Sequence, residues 1–296
     1  MGVIVPKGLP AAQVLRGEGL QVRERETVLP EGAPQSVQIV ILNLMPTKEA
    51  TETQLLRVLG GTKREIEVTL LAPATHESKN TAQEHIERFY TTFDRMRGGR
   101  IDGLIVTGAP VEMLAFEQVD YWEELAGIMD WARQNIRSTY YICWAAQAAM
   151  YRFFGIRKYP LEEKCFGIFE HSFTGAQHPL LRGVKQPFLA PHSRHTQVLA
   201  EEICAAEGIE LLAASEAAGV YLAAERDGRS IFVTGHSEYD ADTLKKEYDR
   251  DVSRGLPIRV PVNYYPGDDP EREPPLSWRG HSKELYGSWI ENIVCG

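Results

Sequence analysis

The chain has 296 residues, 43% hydrophobic and 25% charged, an ordinary globular composition with room for one large domain or two small ones. A net charge of -9 without a dense Lys/Arg stripe excludes a general nucleic-acid binder, and no run approaches the roughly 20 apolar residues of a membrane helix. The start, MGVIVPKGLPAAQ, has neither a secretory nor a myristoylation layout, and Cys143, Cys165, Cys204 and Cys295 form no CxxC pair, so a reducing cytoplasm without disulfides is expected.

Residues 1–35 mix Pro, Gly and charge and read as an extended N-terminal arm. From there strands and helices alternate. SVQIVILNL predicts a buried strand, and TKEATETQLLRVLGG a helix with Glu49 and Glu52 early, Arg57 late and a Gly stop. REIEVTLLAP predicts a second strand, TAQEHIERFYTTFDRMRGG a second helix, and RIDGLIVTGAP a third strand ending in a turn. Trp122, Leu125, Met129, Ala132 and Ile136 recur at steps of three and four, the apolar stripe of a helix against a sheet. STYYIC then runs straight into a helix from Trp144 to Phe154, apolar nearly all round and stopped by Gly155. GVYLAAERDGRSIFVTGHSEYD reads as two strands joined by an Asp-Gly turn, followed by a helix near 242–254, a long Pro/Gly/Asp-rich loop over 257–280, and a last helix in SKELYGSWIENIV. This alternation predicts an α/β fold, a doubly wound, mostly parallel sheet covered on both faces, as one domain over 36–296 behind the arm.

In such folds the active site lies at the carboxyl ends of the strands. Three strand ends carry suggestive chemistry: VTGAPVE, ICWAAQ and FVTGHSEYD. A lone cysteine in an apolar stretch most often serves packing. Cys143, however, sits where a strand hands over to a helix, so backbone N–H groups and the helix dipole face its sulfur, the surroundings that activate a thiol. Small Ala145 and Ala146 suit the tight turn of a nucleophile elbow. His236 is the natural base, with Glu238 two residues on to orient the ring; Ser237 and Asp240 are weaker rivals. His192 and His195 in APHSRHT are spaced as two zinc ligands, but no third ligand is near, so no metal is expected and the stretch reads as a polar substrate-binding loop with Ser193 offering a hydroxyl. No Gly-rich phosphate cradle is evident.

Four stretches in order, ICWAAQAAMYRFFGI, LEEKCFGIFEH, FLAPHSRHTQV and VTGHSEYDADTLKKEYDRD, resemble the homoserine O-acyltransferases of the methionine pathway, a family related in fold to class I glutamine amidotransferases. The resemblance runs the length of the chain. It departs at Ala145, where many relatives carry Gly, adding a methyl at the elbow. It implies Cys143 as the acyl-accepting nucleophile, His236 as base and Glu238 as its orienter, with Lys164, Ser193 and Arg250 binding the amino-acid substrate. Arg provides the planar fork that a substrate carboxylate needs. Trp144 N–H and an N–H of the GAPVE turn, with Glu112 at its end, are the oxyanion candidates. Within the family Glu at the position of Glu112 goes with an acetyl donor and Gly with succinyl, because a fixed carboxylate repels succinyl-CoA's second one. The implied reaction takes acetyl-CoA as co-substrate, with no permanently bound cofactor, and L-homoserine as acceptor. A succinyl donor is the alternative, then a glutaminase subunit, then a non-catalytic binding protein, against which the intact Cys143, His236 and Glu238 speak. The arm and the loop after Pro257 suggest a homodimer.

Overall fold

The computed structural model describes residues 2–30, 35–76 and 81–296. The continuous apolar runs become the middle of a 12-stranded sheet. β3 (Val37–Leu42), β4 (Ile66–Leu71), β6 (Gly103–Val106), β7 (Ser138–Ile142) and β12 (Ser230–Val233) are buried along their whole length. Such runs suit strands covered on both faces. Alternate residues go to opposite layers: Ile39 and Ile41 pack in one core cluster with Leu55, Leu59 and Trp289, while Val40 and Leu42 pack in the other with Trp122, Met129 and Trp144. The covering helices follow: α2 (Lys48–Gly60) and α9 (Arg279–Ser288) lie on the first face, α5 (Trp122–Asn135) and α6 (Trp144–Phe154) on the second.

Residues 2–25 are not an extended arm. β1 (Gly2–Pro6), α1 (Pro10–Gly17) and β2 (Gln21–Arg25) form a strand–helix–strand unit at the sheet edge, with β1 parallel to both β2 and β4. The Pro and Gly that suggested an arm are punctuation: Pro10 opens α1, and Gly8 and Gly19 take left-handed turns with φ 79° and 85°. The helix expected over 81–99 is also divided, into α3 (Gln83–Phe89) and α4 (Phe93–Met96), by β5 (Tyr90–Thr91). Those two residues pair with Leu70 and Leu71, a stretch of β4 that β1 leaves unpaired.

From β12 the sheet continues antiparallel through β11 (Gly219–Glu225), β10 (Ile209–Ser215), β8 (Tyr159–Phe173) and β9 (Phe188–Gln197). The β11–β12 pair joined near Asp227 and Gly228 is as expected. The β8–β9 hairpin is not, and residues 192–195 stand on a strand rather than in a loop. α7 (Ala200–Ala205) links the hairpin to β10, and α8 (Thr243–Ser253) follows β12. The stretch 257–280 lacks long regular elements; it docks by pairing Val262 beside Gly167. The last helix runs through α9 into a π-helical turn, Trp289–Val294.

Arg25 ties the edge unit in. Its buried guanidinium donates to the carbonyls of Ile4, Thr27, Val28 and Leu29 and to Thr69 Oγ1, and it lies 3.7 Å from the buried carboxylate of Glu67. Removing one member of a buried pair strands the other's charge, at a cost of about 3–5 kcal/mol. Arg25→Met should therefore lower the unfolding free energy by about that amount in chemical denaturation. A loss under about 1 kcal/mol would mean the unit contributes little to the fold.

Candidate active site

Strand register explains how Cys143 and His236 meet although 93 positions apart. β6, β7 and β12 are neighbours with aligned ends: Val106 pairs with Tyr141, and Ile142 with Val233. The next residue of each strand opens onto the same edge. Cys143 N–H donates to Val233 O at 2.7 Å, and its backbone then takes φ 52°, ψ -114°, a left-handed value uncommon outside glycine, before α6 begins at Trp144. That is the backbone shape of a nucleophile elbow, with the sulfur at a helix N-terminus. Gly108, after β6, runs against it. A methyl there would sit 3.3 Å from Cys143 Cβ and 3.6 Å from Trp144 N, so even alanine would press on the elbow. Of the Gly108–Glu112 turn, it is this end that faces the elbow.

His236 follows Gly235 off β12, its N–H on Pro191 O at 2.9 Å. Its Nδ1 lies 2.7 Å from Glu238 Oε1, and both side chains are buried. Burial alone would strip the ring of its proton, but Cys143 and Glu238, through charge and hydrogen bonding, outweigh it and raise the imidazolium from its ordinary 6.5 to about 10. Of Ser237, Glu238 and Asp240, Glu238 is the one against this ring, and Asp240 is held instead by Arg57. Tyr239 stacks flat on the imidazole, ring centroids 4.1 Å apart and planes 12° off parallel. Burial and the charges of Glu247, Glu238, Cys143 and Glu112 hold its phenol well above the usual range, so these groups share one neighbourhood. A pocket lined by Met45, Thr47, Gln54, Gly108, His236 and Tyr239 opens beside them.

The three expected substrate-binding residues converge on a carboxylate that the sequence reading missed. Lys164 Nζ lies 2.6 Å from Glu247 Oε1, Ser193 Oγ donates to Oε2 at 2.9 Å, and Arg250 Nη2 is 3.6 Å from Oε1. Arg250 Nε also pairs with Asp251 at 2.6 Å, and its side chain is half exposed. Glu247 stands three residues before Arg250 on α8, a spacing that alone suggests only a solvated helix pair. Glu112 reaches from the turn after β6 to β9, accepting from His195 N–H at 2.8 Å, while Lys158 Nζ donates to the carbonyls of Glu112 and Leu114. His192 is buried, with Nε2 3.0 Å from His171 Nε2, whereas His195 is exposed.

A flavodoxin-like sheet bearing a Cys elbow and a His–x–Glu at adjacent strand ends defines the class I glutamine amidotransferase-like proteins. Solved glutamine amidotransferases share the fold at low identity: one from Thermotoga maritima has TM-score 0.56 and 11% identity, covering 88% of this chain and 99% of its own. One from Methylobacillus flagellatus has TM-score 0.55 and 12% identity, covering 88% and 96%. Within that class the chain belongs to the homoserine O-succinyltransferase family, whose profile matches residues 2–295. Curated relatives named homoserine O-acetyltransferase, from Acetivibrio thermocellus and Desulfitobacterium hafniense, are each 51% identical over 294 residues. The match covers 99% of this chain and 96% and 95% of theirs.

Because the His236 value is raised, the ring keeps its proton from neutrality until the pH passes about 10. Iodoacetamide alkylation of Cys143 should thus change less than about two-fold between roughly pH 7 and 9. In His236→Asn, with no imidazolium facing the sulfur, it should instead climb with pH across that range. Equal slopes in the two proteins would dissolve the pair.

Proposed function

We propose that this enzyme transfers an acetyl group from acetyl-CoA to the γ-hydroxyl of L-homoserine through an acyl-Cys143 intermediate. The observation that carries it is the buried Cys143–His236–Glu238 line, with the sulfur at a helix N-terminus. Cys143 thiolate attacks the thioester carbonyl. The oxyanion is received by Trp144 N–H and an N–H of the Gly108–Glu112 turn, and loss of such a donor typically costs about 3–4 kcal/mol. The CoA sulfur leaves with the His236 proton, and the neutral ring then takes the proton of the homoserine hydroxyl as that oxygen attacks the acyl-cysteine. Collapse releases the ester and restores the thiolate–imidazolium pair. Glu238 holds the tautomer throughout.

Homoserine is a zwitterion, and the α8 cluster offers both signs. Arg250 takes its carboxylate. Glu247, held by Lys164 and Ser193, takes its ammonium. For the donor, we read Glu112 as the group that meets a second carboxylate; two like charges about 4 Å apart repel by roughly 4 kcal/mol at an effective dielectric near 20. The O-acetyltransferase names of the 51% identical relatives support the same donor. No helix among the described residues is long and apolar enough to cross a membrane. Residues 2–25, expected as an arm that wraps a partner subunit, pair within the chain's own sheet.

Intact-mass spectrometry tests the proposal directly. Mixed with acetyl-CoA, the wild type should gain one acetyl group and Cys143→Ala none, and L-homoserine but not glutamine should discharge it. An undiminished adduct on Cys143→Ala would sink the acyl-enzyme.

A further inference from the structure

Glu112 repels a second carboxylate only if its own is held still, and a glutamate in a surface turn is not held by its backbone. Its neighbours Met113 and Leu114 are exposed. The holding comes from β9. Glu112 Oε2 lies 3.2 Å from Thr196 Oγ1 as well as 2.8 Å from His195 N–H. Thr196 is itself immobile. It is buried, its hydroxyl is 2.8 Å from Gln147 Oε1, and its carbonyl accepts from Gln147 Nε2 at 3.2 Å and from Arg194 Nη1 at 2.8 Å. Arg194 and Gln147 are buried too, and Gln147 N–H bonds the carbonyl of Cys143 at 3.2 Å one turn along α6. A continuous line of hydrogen bonds therefore runs from the nucleophile's own peptide, through Gln147 and Thr196, to Glu112. The hydroxyl's single proton is shared between Gln147 and Glu112, and the His195 amide supplies the carboxylate's second donor.

We propose that Thr196 is a positioning residue for acyl-donor choice, fixing the Glu112 carboxylate relative to the sulfur at Cys143. The proposal rests on Glu112 being the group that discriminates between donors. Without the hydroxyl, the carboxylate keeps the His195 amide and the nearby charge of Lys158 but is no longer fixed relative to the sulfur.

The test compares kcat/KM for acetyl-CoA and succinyl-CoA, at saturating homoserine, in wild type, Thr196→Val, Thr196→Ser, Glu112→Gly and the double variant Glu112→Gly with Thr196→Val. Val keeps the shape and removes the hydroxyl. It should narrow the preference for acetyl-CoA by about ten-fold, the size of one hydrogen bond to a charged group, with homoserine KM unchanged within about two-fold. Thr196→Ser should keep the wild-type ratio. Adding Thr196→Val to Glu112→Gly should leave the ratio where Glu112→Gly put it, since no carboxylate remains to hold. An unchanged ratio in Thr196→Val, equal losses with both donors, or a full effect in the Gly background overturns the proposal. If Glu112→Gly itself leaves the ratio unmoved, the reading of Glu112 has failed, and the role of Thr196 with it.

Discussion

The site depends on one backbone constraint, the left-handed conformation of Cys143. A non-glycine residue there costs on the order of 1–3 kcal/mol and persists only where its surroundings over-determine it. Here the ladder bond from Cys143 N–H to Val233 O fixes the strand side. The helix side is fixed by α6, whose first seven residues, Trp144 to Met150, are all buried. Gly108 leaves the space the turn needs. The all-round apolar character of α6 is thus the anchor of the elbow. The same turn that is strained also aims the helix N-terminus at the sulfur, so strain and electrostatics come from one feature.

Around the elbow the charges are arranged with His236 as the central cation. Glu238 and the sulfur bracket the ring along its hydrogen-bonding axis, and Tyr239 covers its face. The remaining carboxylates are each tied outward: Glu112 to β9, Glu247 to Lys164 and Ser193, Asp240 to Arg57. Left loose, any of them would compete with Glu238 for the imidazolium. Bound as they are, they present negative charge at chosen places and leave the ring to the sulfur.

What was legible in the sequence follows from this layout. Strands buried on both faces write themselves as unbroken apolar runs, so β3, β4, β6, β7 and β12 were readable, and with them the edge on which Cys143, His236 and Glu238 meet. The N-terminal unit was not, because β2, QVRER, is an exposed edge strand whose fit to the sheet depends on Arg25 reaching Thr69 and Glu67. The β8–β9 hairpin was hidden for a similar reason: half-exposed YPLEEKCFGIFEHSF carries Pro and charge and breaks register between Pro160 and Cys165. Lys164 and Arg250 came from family resemblance alone, whereas Ser193 was also legible as the hydroxyl of a polar substrate-binding stretch. Their common partner Glu247, like Tyr239 and Thr196, acts through contacts between elements far apart in the chain, which no local spacing encodes.

The fold is shared with solved glutamine amidotransferases, so on the proposed mechanism the difference lies in what meets the acyl-enzyme. Cys143, His236 and Glu238 are each less than a tenth exposed, which limits the water reaching the acyl group. An acceptor hydroxyl competes with that water only if it is held in line, and alignment of bound groups is worth up to about 7–11 kcal/mol of barrier. On the proposed reading, Arg250 and Glu247, three residues apart on α8, are the two points that orient a small zwitterion. A third point comes from His236, which takes only a proton that lies within its reach. Three-point attachment of this kind selects a hydroxyl at a fixed distance from an α-amino acid centre. Acceptor choice on this scaffold thus comes from the position of α8 relative to the elbow, while the chemistry at the sulfur stays the same.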